Sequence, residues 1–446
     1  MNLSRYTLFV ENYPEADVHV AYNTRTKAIV SIDSGLKDTL TALPSRNGGR
    51  GEKTLEALQQ LMKLGIVVDD AVDEKQLVAD GFGRIQADTS RLKATILTTY
   101  ACNFACTYCL ENGVKASRYM NRETAARCVA FITRKAEEIS PKRLVVTFYG
   151  GEPLLNLPAI KDVARGLQQL GKSRGIPFDF GITTNGALLT PEVVTELKAY
   201  GLKGVKITLD GTKEFHDQKR PFKNGKRSFD VIMRNLVHAV DEIDVKIGGN
   251  FDDENAESIP ALLDHLAELG LTRKIRIIVF KPITRTFSDR KLISPGTDIG
   301  CVYTEADTKY KMVQYQRMLL ERGFRTNVGM GANLCAMILN RSNFTIDPNG
   351  KLFLCSGFVG LEEFECGSVN RGESGKSSLS EVWRQCLDCP YLPLCGNGCP
   401  SGAHVRFGDA SRLNCMKEYM DYVAPESVKM SYDVACCRKH GSNTVL

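Results

Sequence analysis

The sequence predicts an α/β protein: a partial (β/α)6 barrel, preceded by a small strand-and-helix module and followed by a cysteine-rich region. Three observations carry this reading. Between residues 92 and 282, apolar β-rich runs alternate with helix-period stretches in six units. Residues 1–88 instead open on strand patterns and close on helical ones. From Cys335 onward, cysteine, glycine and proline rise while regular periodicity fades. The chain divides accordingly into 1–88, 89–300 and 301–446, which suits its 446 residues.

In the first unit, residues 6–10, 18–22 and 28–32 read as short strands, with 23–26 as a turn. Helical patterns follow at 34–42 and 53–64, and Gly65 ends the second. Three strands and two helices fit a winged-helix-like module. Its 10 Lys and Arg against 13 Asp and Glu leave it at −3, the wrong sign for gripping phosphates. Nucleic-acid binding is therefore set aside.

The barrel strands are expected at 94–97, 145–149, 178–182, 205–209, 245–247 and 275–280. Between them, helical patterns occupy 123–139, 158–171, 191–200, 229–243 and 258–269, and Thr190 caps the third with Pro191 at its first position. Six units fall short of eight, which favours an open barrel with its active site at the carboxyl ends of the strands. One more helix is expected at 307–321. After it, a small domain rich in cysteine reads as one stapled by metal, because it cannot bury enough apolar area alone.

Composition narrows the chemistry. With 43% hydrophobic and 25% charged residues, the chain is globular rather than disordered. No apolar run reaches the roughly 18 residues of a membrane span, and the first residues do not pattern as an export signal, so a cytoplasmic protein is expected. The net charge of +6 is too mild to announce a nucleic-acid partner. Fifteen cysteines are the outlier. In a reducing compartment they point to metal ligation or thiol chemistry.

Directly after the first barrel strand, Cys102, Cys106 and Cys109 follow one another at C-x3-C-x2-C spacing. Three thiolates on one loop can converge on one cubane-type cluster and leave one iron open to a small ligand. Zinc would need a fourth protein ligand, and no histidine lies nearby. At the end of the second strand stand Gly150, Gly151, Glu152 and Pro153. The glycines admit a close approach to the backbone, and Glu152 can accept hydrogen bonds from an ammonium. The third and fourth strands end in Thr183-Thr184-Asn185-Gly186 and Thr208-Leu209-Asp210-Gly211, and the fifth exits through Gly248-Gly249-Asn250.

The cysteine loop resembles the signature of the radical S-adenosylmethionine (SAM) superfamily. The resemblance implies a [4Fe–4S] cluster on Cys102, Cys106 and Cys109, with SAM chelated to the open iron and cleaved reductively to a 5′-deoxyadenosyl radical. It places Tyr108 near adenine and likens Gly150, Gly151, Glu152 and Pro153 to the family's motif for the SAM amino group. Asn185, Thr208 and Asp210 resemble segments that line the SAM pocket. The stretch from Phe215 to Arg220 is also similar to the family, with no catalytic residue assigned.

The later cysteines form a second pattern. Cys335 is followed after fourteen residues by Gly350 and after four more by Cys355; then come Cys386-x2-Cys389-x5-Cys395-x3-Cys399 and Cys415. A zinc ribbon is the competing reading of paired C-x2-C. The full order resembles the SPASM extension of peptide- and cofactor-maturing radical SAM enzymes. That implies two auxiliary [4Fe–4S] clusters, hence three in all: Cys386, Cys389, Cys395 and Cys415 on the outer one, and Cys335, Cys355 and Cys399 on the inner one. The inner cluster's fourth ligand is left among Cys301, Cys366, Cys436, Cys437 and an open iron. Cys128 reads as a buried core thiol.

Sulfatase maturases generally carry Asp after the cysteine matching Cys355, whereas this chain has Ser356. The N-terminal module resembles leader-recognition domains fused to maturases of ribosomally made peptides. The resulting expectation is a peptide-modifying oxidoreductase that forms a crosslink or oxidised residue, with a precursor peptide bound through its leader. A flavodoxin- or ferredoxin-type protein would supply electrons. The competing readings are a sulfatase or redox-cofactor maturase and a non-enzymatic iron–sulfur electron carrier.

Overall fold

The computed structural model describes residues 1–43, 52–109, 117–283, 306–327, 335, 342–374 and 381–439. In the N-terminal module, β1 (Asn2–Leu3), β2 (Thr7–Val10), β3 (Val18–Asn23) and β4 (Ile29–Asp33) lead into α1 (Ser34–Thr41), α2 (Glu52–Leu64), β5 (Val67–Val68) and α3 (Glu74–Ala87). Strands β2, β3 and β4 form an antiparallel sheet in that order, and β1 pairs with β5. The third helix and the short β1–β5 pair were not expected. Asp73 caps α3 by accepting from the Gln76 N–H, a start signal present in the sequence.

The barrel runs β6 (Arg91–Thr99), α4 (Arg122–Ile139), β7 (Arg143–Gly150), α5 (Leu157–Arg174), β8 (Phe178–Thr184), α6 (Pro191–Ala199), β9 (Leu202–Thr208), α7 (Lys213–Lys219), α8 (Phe229–Glu242), β10 (Asp244–Phe251), α9 (Ile259–Glu268) and β11 (Ile275–Pro282). Its six strands pair in parallel and in sequence order. Strands β6 and β11 stand at opposite ends of that run, so the barrel is open. Helices α4 to α6, α8 and α9 bury their apolar stripes against the strands in one continuous core. Cys128 lies in that core with no exposure, as expected, and burial pushes its thiol up to about 12.

After α10 (Ala306–Glu321), the short strands β12 (Asn343–Ile346), β13 (Lys351–Phe353), β14 (Glu365–Ser368) and β15 (Gly372–Glu373) continue the same sheet beyond β6, making ten strands. Only β12 joins β6 in parallel; the others turn back antiparallel. The chain closes with α11 (Leu392–Cys395), α12 (Pro400–Phe407) and α13 (Lys417–Lys439). Helix α13 was also not expected, and Pro425 inside it explains why. Its buried residues Tyr419, Met420, Val423, Ala424 and Val428 nevertheless repeat at helical spacing. Among the described residues, no helix is long and apolar enough to cross a membrane.

Candidate active site

The carboxyl ends of β6 to β11 surround a cavity of about 240 Å³. Cys102, Cys106 and Cys109 all line it, together with Tyr108, Gly150, Gly151, Asn185, Thr208 and Asn250. Three thiols from one loop thus face one space with room for a small ligand beside them, which fits a three-thiolate cluster with an open iron. Among the described residues, no group of three or more His, Cys, Asp or Glu is arranged to hold a single metal ion.

The cysteine loop is fixed by backbone on both sides. The Ala105 N–H donates to the Pro221 carbonyl at 2.9 Å and the Thr107 N–H to that of Lys219 at 3.0 Å. On the other side, Gly151 N–H donates to the Thr99 carbonyl at 3.0 Å and Glu152 N–H to that of Ala101 at 2.8 Å. This explains the two glycines physically. A Cβ on Gly150 would stand 2.2 Å from the Thr99 oxygen, and one on Gly151 would stand 2.3 Å from the Ala101 oxygen. They admit the chain that leads into the cysteine loop, while their own backbone walls the cavity.

Glu152 points elsewhere. It has no exposure and is not among the cavity-lining residues. Its carboxylate accepts from the Asn185 N–H at 2.8 Å, the Thr184 hydroxyl at 2.8 Å and the Leu154 N–H at 3.1 Å. Burial pushes this carboxyl up to about 6, against the pull of those donors. Glu152 therefore holds the exit of the third strand, and Asn185 donates in turn to the Asn103 side chain at 2.7 Å, inside the cysteine loop. Pro153 is buried at the start of a short 3-10 turn and also lies off the cavity lining.

A second buried network holds Tyr108. Its hydroxyl donates to Asp210, and Arg220 donates to that hydroxyl at 2.5 Å. Asp210, without exposure, also accepts from the Asn250 N–H at 2.6 Å and lies 3.6 Å from the Arg220 guanidinium. Burial raises the Asp210 carboxyl while Arg220 pulls it down. Asp210 therefore positions two lining residues, Tyr108 and Asn250, from behind the wall. The stretch from Phe215 to Arg220 acquires roles here. His216 Nδ1 accepts from the Asp210 N–H at 3.3 Å, and Asp217 accepts from the Ser228 and Phe229 N–H groups at the start of α8. Arg220 reaches the cavity. Sequence reasoning missed Lys206 and Lys281, whose places on alternating strand positions were the available signal.

The C-terminal cysteines fall into two groups. The Cys386 thiol is pushed up to about 11 by burial and by nearby Cys389, Cys395 and Cys415. Cys355, raised mainly by burial, also senses Cys399. Crowded thiols that resist ionisation suit a cationic centre that would deprotonate them. Cys335 and Cys355 both pack half-buried against the barrel core. Of the candidate fourth ligands, Cys366 is buried in the core on β14, Cys436 and Cys437 fall on α13, and Cys301 lies outside the described residues.

Comparison with known proteins agrees with this geometry. The chain is 23% identical over 359 residues to the radical SAM cyclopropyl synthase TigE of Paramaledivibacter caminithermalis, covering 73% of this chain and 71% of the relative. It is likewise 23% identical to the serine-type anaerobic sulfatase-maturating enzyme of Klebsiella aerogenes, over 73% and 83% of the two chains. The crystal structure of Streptococcus suis SuiB bound to precursor peptide SuiA shares the fold over 93% of this chain and 98% of that one, with a TM-score of 0.50 and 15% identity. Residues 96–280, which run from within β6 to within β11, match the Radical SAM superfamily model, so the barrel is a radical SAM domain.

Proposed function

We propose that this chain is a peptide maturase of the SPASM type, in which Cys102, Cys106 and Cys109 hold a [4Fe–4S] cluster and the adjoining cavity holds SAM. The observation that carries the reading is the convergence of all three thiols on one cavity at the strand ends. When bound, cluster and SAM would supply an organic radical that takes hydrogen from a substrate residue. The chain's own part is to bind and orient. Tyr108 offers a half-buried ring pinned by Asp210 and Arg220, the backbone of Gly150 and Gly151 walls the cavity, and Asn185 and Thr208 offer polar groups. Replacing all three cysteines by Ala is expected to abolish 5′-deoxyadenosine formation under anaerobic reduction; full turnover would overturn the reading.

A peptide substrate is supported by the N-terminal module. Strand β4 pairs only with β3 among the described residues, which leaves its other edge for an added strand. Among the described residues, five of the nine exposed large hydrophobic ones, Leu55, Leu64, Val72, Leu77 and Ile85, also belong to this module. SuiB, which shares the fold, binds a precursor peptide. Slower amide exchange at residues 29–33 is expected when a precursor binds. Unchanged exchange there with peptide bound would move the dock elsewhere. The Cys386, Cys389, Cys395 and Cys415 group would hold the outer auxiliary cluster, and Cys335, Cys355 and Cys399 the inner one. A sulfatase-maturase reading is favoured by the Klebsiella aerogenes relative and disfavoured by Ser356.

A further inference from the structure

The turn between Cys395 and Cys399 is built from three successive left-handed residues, Gly396 at φ 61°, Asn397 at 77° and Gly398 at 82°. Such a turn gathers successive N–H groups on one side, an arrangement that cradles anions. Here the Gly398 and Asn397 N–H groups donate to the Cys395 sulfur. Asn414 lies directly on this turn. A Cβ on Gly398 would stand 2.3 Å from the Asn414 carbonyl oxygen and 3.5 Å from the Asn414 Cβ, so only glycine admits the approach. The next residue, Cys415, joins Cys386, Cys389 and Cys395 in one group of thiols.

The protein gives the Asn414 side chain nothing to bond. It is 1% exposed, and among the described residues neither its nitrogen nor its oxygen meets a hydrogen-bond partner. A buried amide left unpaired is more costly than an apolar side chain of similar size, and native folds seldom keep one. An acceptor for its N–H groups is therefore wanted beside the 395–399 turn. Cluster-bound thiolates and sulfides are such acceptors, and hydrogen bonds to them set how easily a cluster is reduced.

We infer that the Asn414 carboxamide donates to sulfur of the outer auxiliary cluster and holds its reduction potential up. This rests on the reading that Cys386, Cys389, Cys395 and Cys415 hold that cluster. A donor to sulfur stabilises the extra negative charge of the reduced state, so losing one makes reduction harder. Asn414→Leu keeps much of the volume and removes the donor. The reconstituted full chain is titrated potentiometrically, with the clusters followed by electron paramagnetic resonance. One midpoint should fall by about 59 mV, an about tenfold loss in a one-electron reduction equilibrium, while the others hold. That same step should be missing from Cys389→Ala, which marks it as the outer cluster's.

A second measurement reads the bond itself. Chain made with asparagine labelled by nitrogen-15 in the side-chain amide should show a nitrogen coupling to the reduced outer cluster. The coupling should persist in Asn397→Gly, which suits the left-handed backbone and keeps its N–H donors, and vanish in Asn414→Leu. If the leucine variant fails to hold its cluster, the labelled Asn397→Gly chain decides. Absence of the coupling, or a midpoint that ignores Asn414→Leu, would overturn the inference and leave the amide to a buried water. A shift confined to a step that survives in Cys389→Ala would overturn it too, because the acceptor would then be another cluster. Wild-type iron content in Cys389→Ala, with no step lost, would instead sink the assignment of the outer cluster and the inference with it.

Discussion

Cys102, Cys106 and Cys109 sit on a loop strapped by backbone hydrogen bonds to the exit of β7 on one side and to the end of α7 on the other, whereas Cys386 and Cys395 sit on short helical turns, with Cys389 in the link between them. The second group draws its order from the N-terminal module. Tyr6 donates to the Leu387 carbonyl at 2.7 Å, Thr24 to that of Pro390 at 2.6 Å and Lys27 to that of Pro393 at 3.3 Å. Arg5 and Lys75 both pair with Asp388, and Phe82 packs edge-on against Trp383 at 4.8 Å. A sheet can orient thiols by its own ladder. Short turns leave carbonyls without partners, and here another part of the chain supplies the donors.

Removing residues 1–88 tests this difference most severely. The truncated chain is expected to retain its barrel and 5′-deoxyadenosine formation but to lose protection against amide exchange across residues 381–415. Iron should fall by about four atoms per chain, the content of one cubane. Unchanged iron and exchange would show that the cysteine-rich region stands by itself. The deletion therefore cannot isolate a leader dock, because the same surface that would present β4 also supports the cysteine turns.

The contrast also explains what was legible in the sequence. The six barrel strands follow from β-rich runs, since local propensity and burial agree there. The glycines before Glu152 were read as room for a ligand, yet their tightest neighbours are protein carbonyls that only tertiary pairing brings close. Glu152 and Asp210 read as pocket residues because carboxylates at strand ends suggest ligand contact. The structure turns both inward, where each satisfies several N–H or O–H donors. Strand alternation could have placed Lys206 on the cavity side, but its reach depends on a gap in the neighbouring strand at Gly248 that only pairing creates. The grip of Tyr6 on residues near 387 spans 381 positions, beyond any local pattern.

Glu152 allows the barrel side of the comparison to be titrated. Its folded-state value of about 6 lies above the ordinary 4.5, so the folded chain holds this proton more tightly than the unfolded chain does. The associated stability is fully present below about pH 4.5 and is lost as pH rises through about 6. The difference of about 1.5 units corresponds to about 2 kcal/mol. Denaturant unfolding of the wild type against Glu152→Gln across pH 4.5 to 6.5 should show that slope in the wild type only. An identical slope in both would assign the titration to another group.

The smallest expected effect comes from a single oxygen. Tyr6 has no exposure, and burial pushes its phenol up to about 12, so it keeps its proton and remains a donor around neutral pH. Tyr6→Phe keeps the ring among Val78, Phe82, Trp383 and Leu392 and removes only the bond to the Leu387 carbonyl. That carbonyl then lacks the partner it had, at a cost of about 1 kcal/mol. If the module orders the cysteine turns through these hydrogen bonds, amide exchange should quicken around residues 386–395 and leave the 102–109 loop unchanged. If packing of Phe82 on Trp383 suffices, exchange in both places will match the wild type, and the directional part of the grip rests on Thr24 and Lys27 instead.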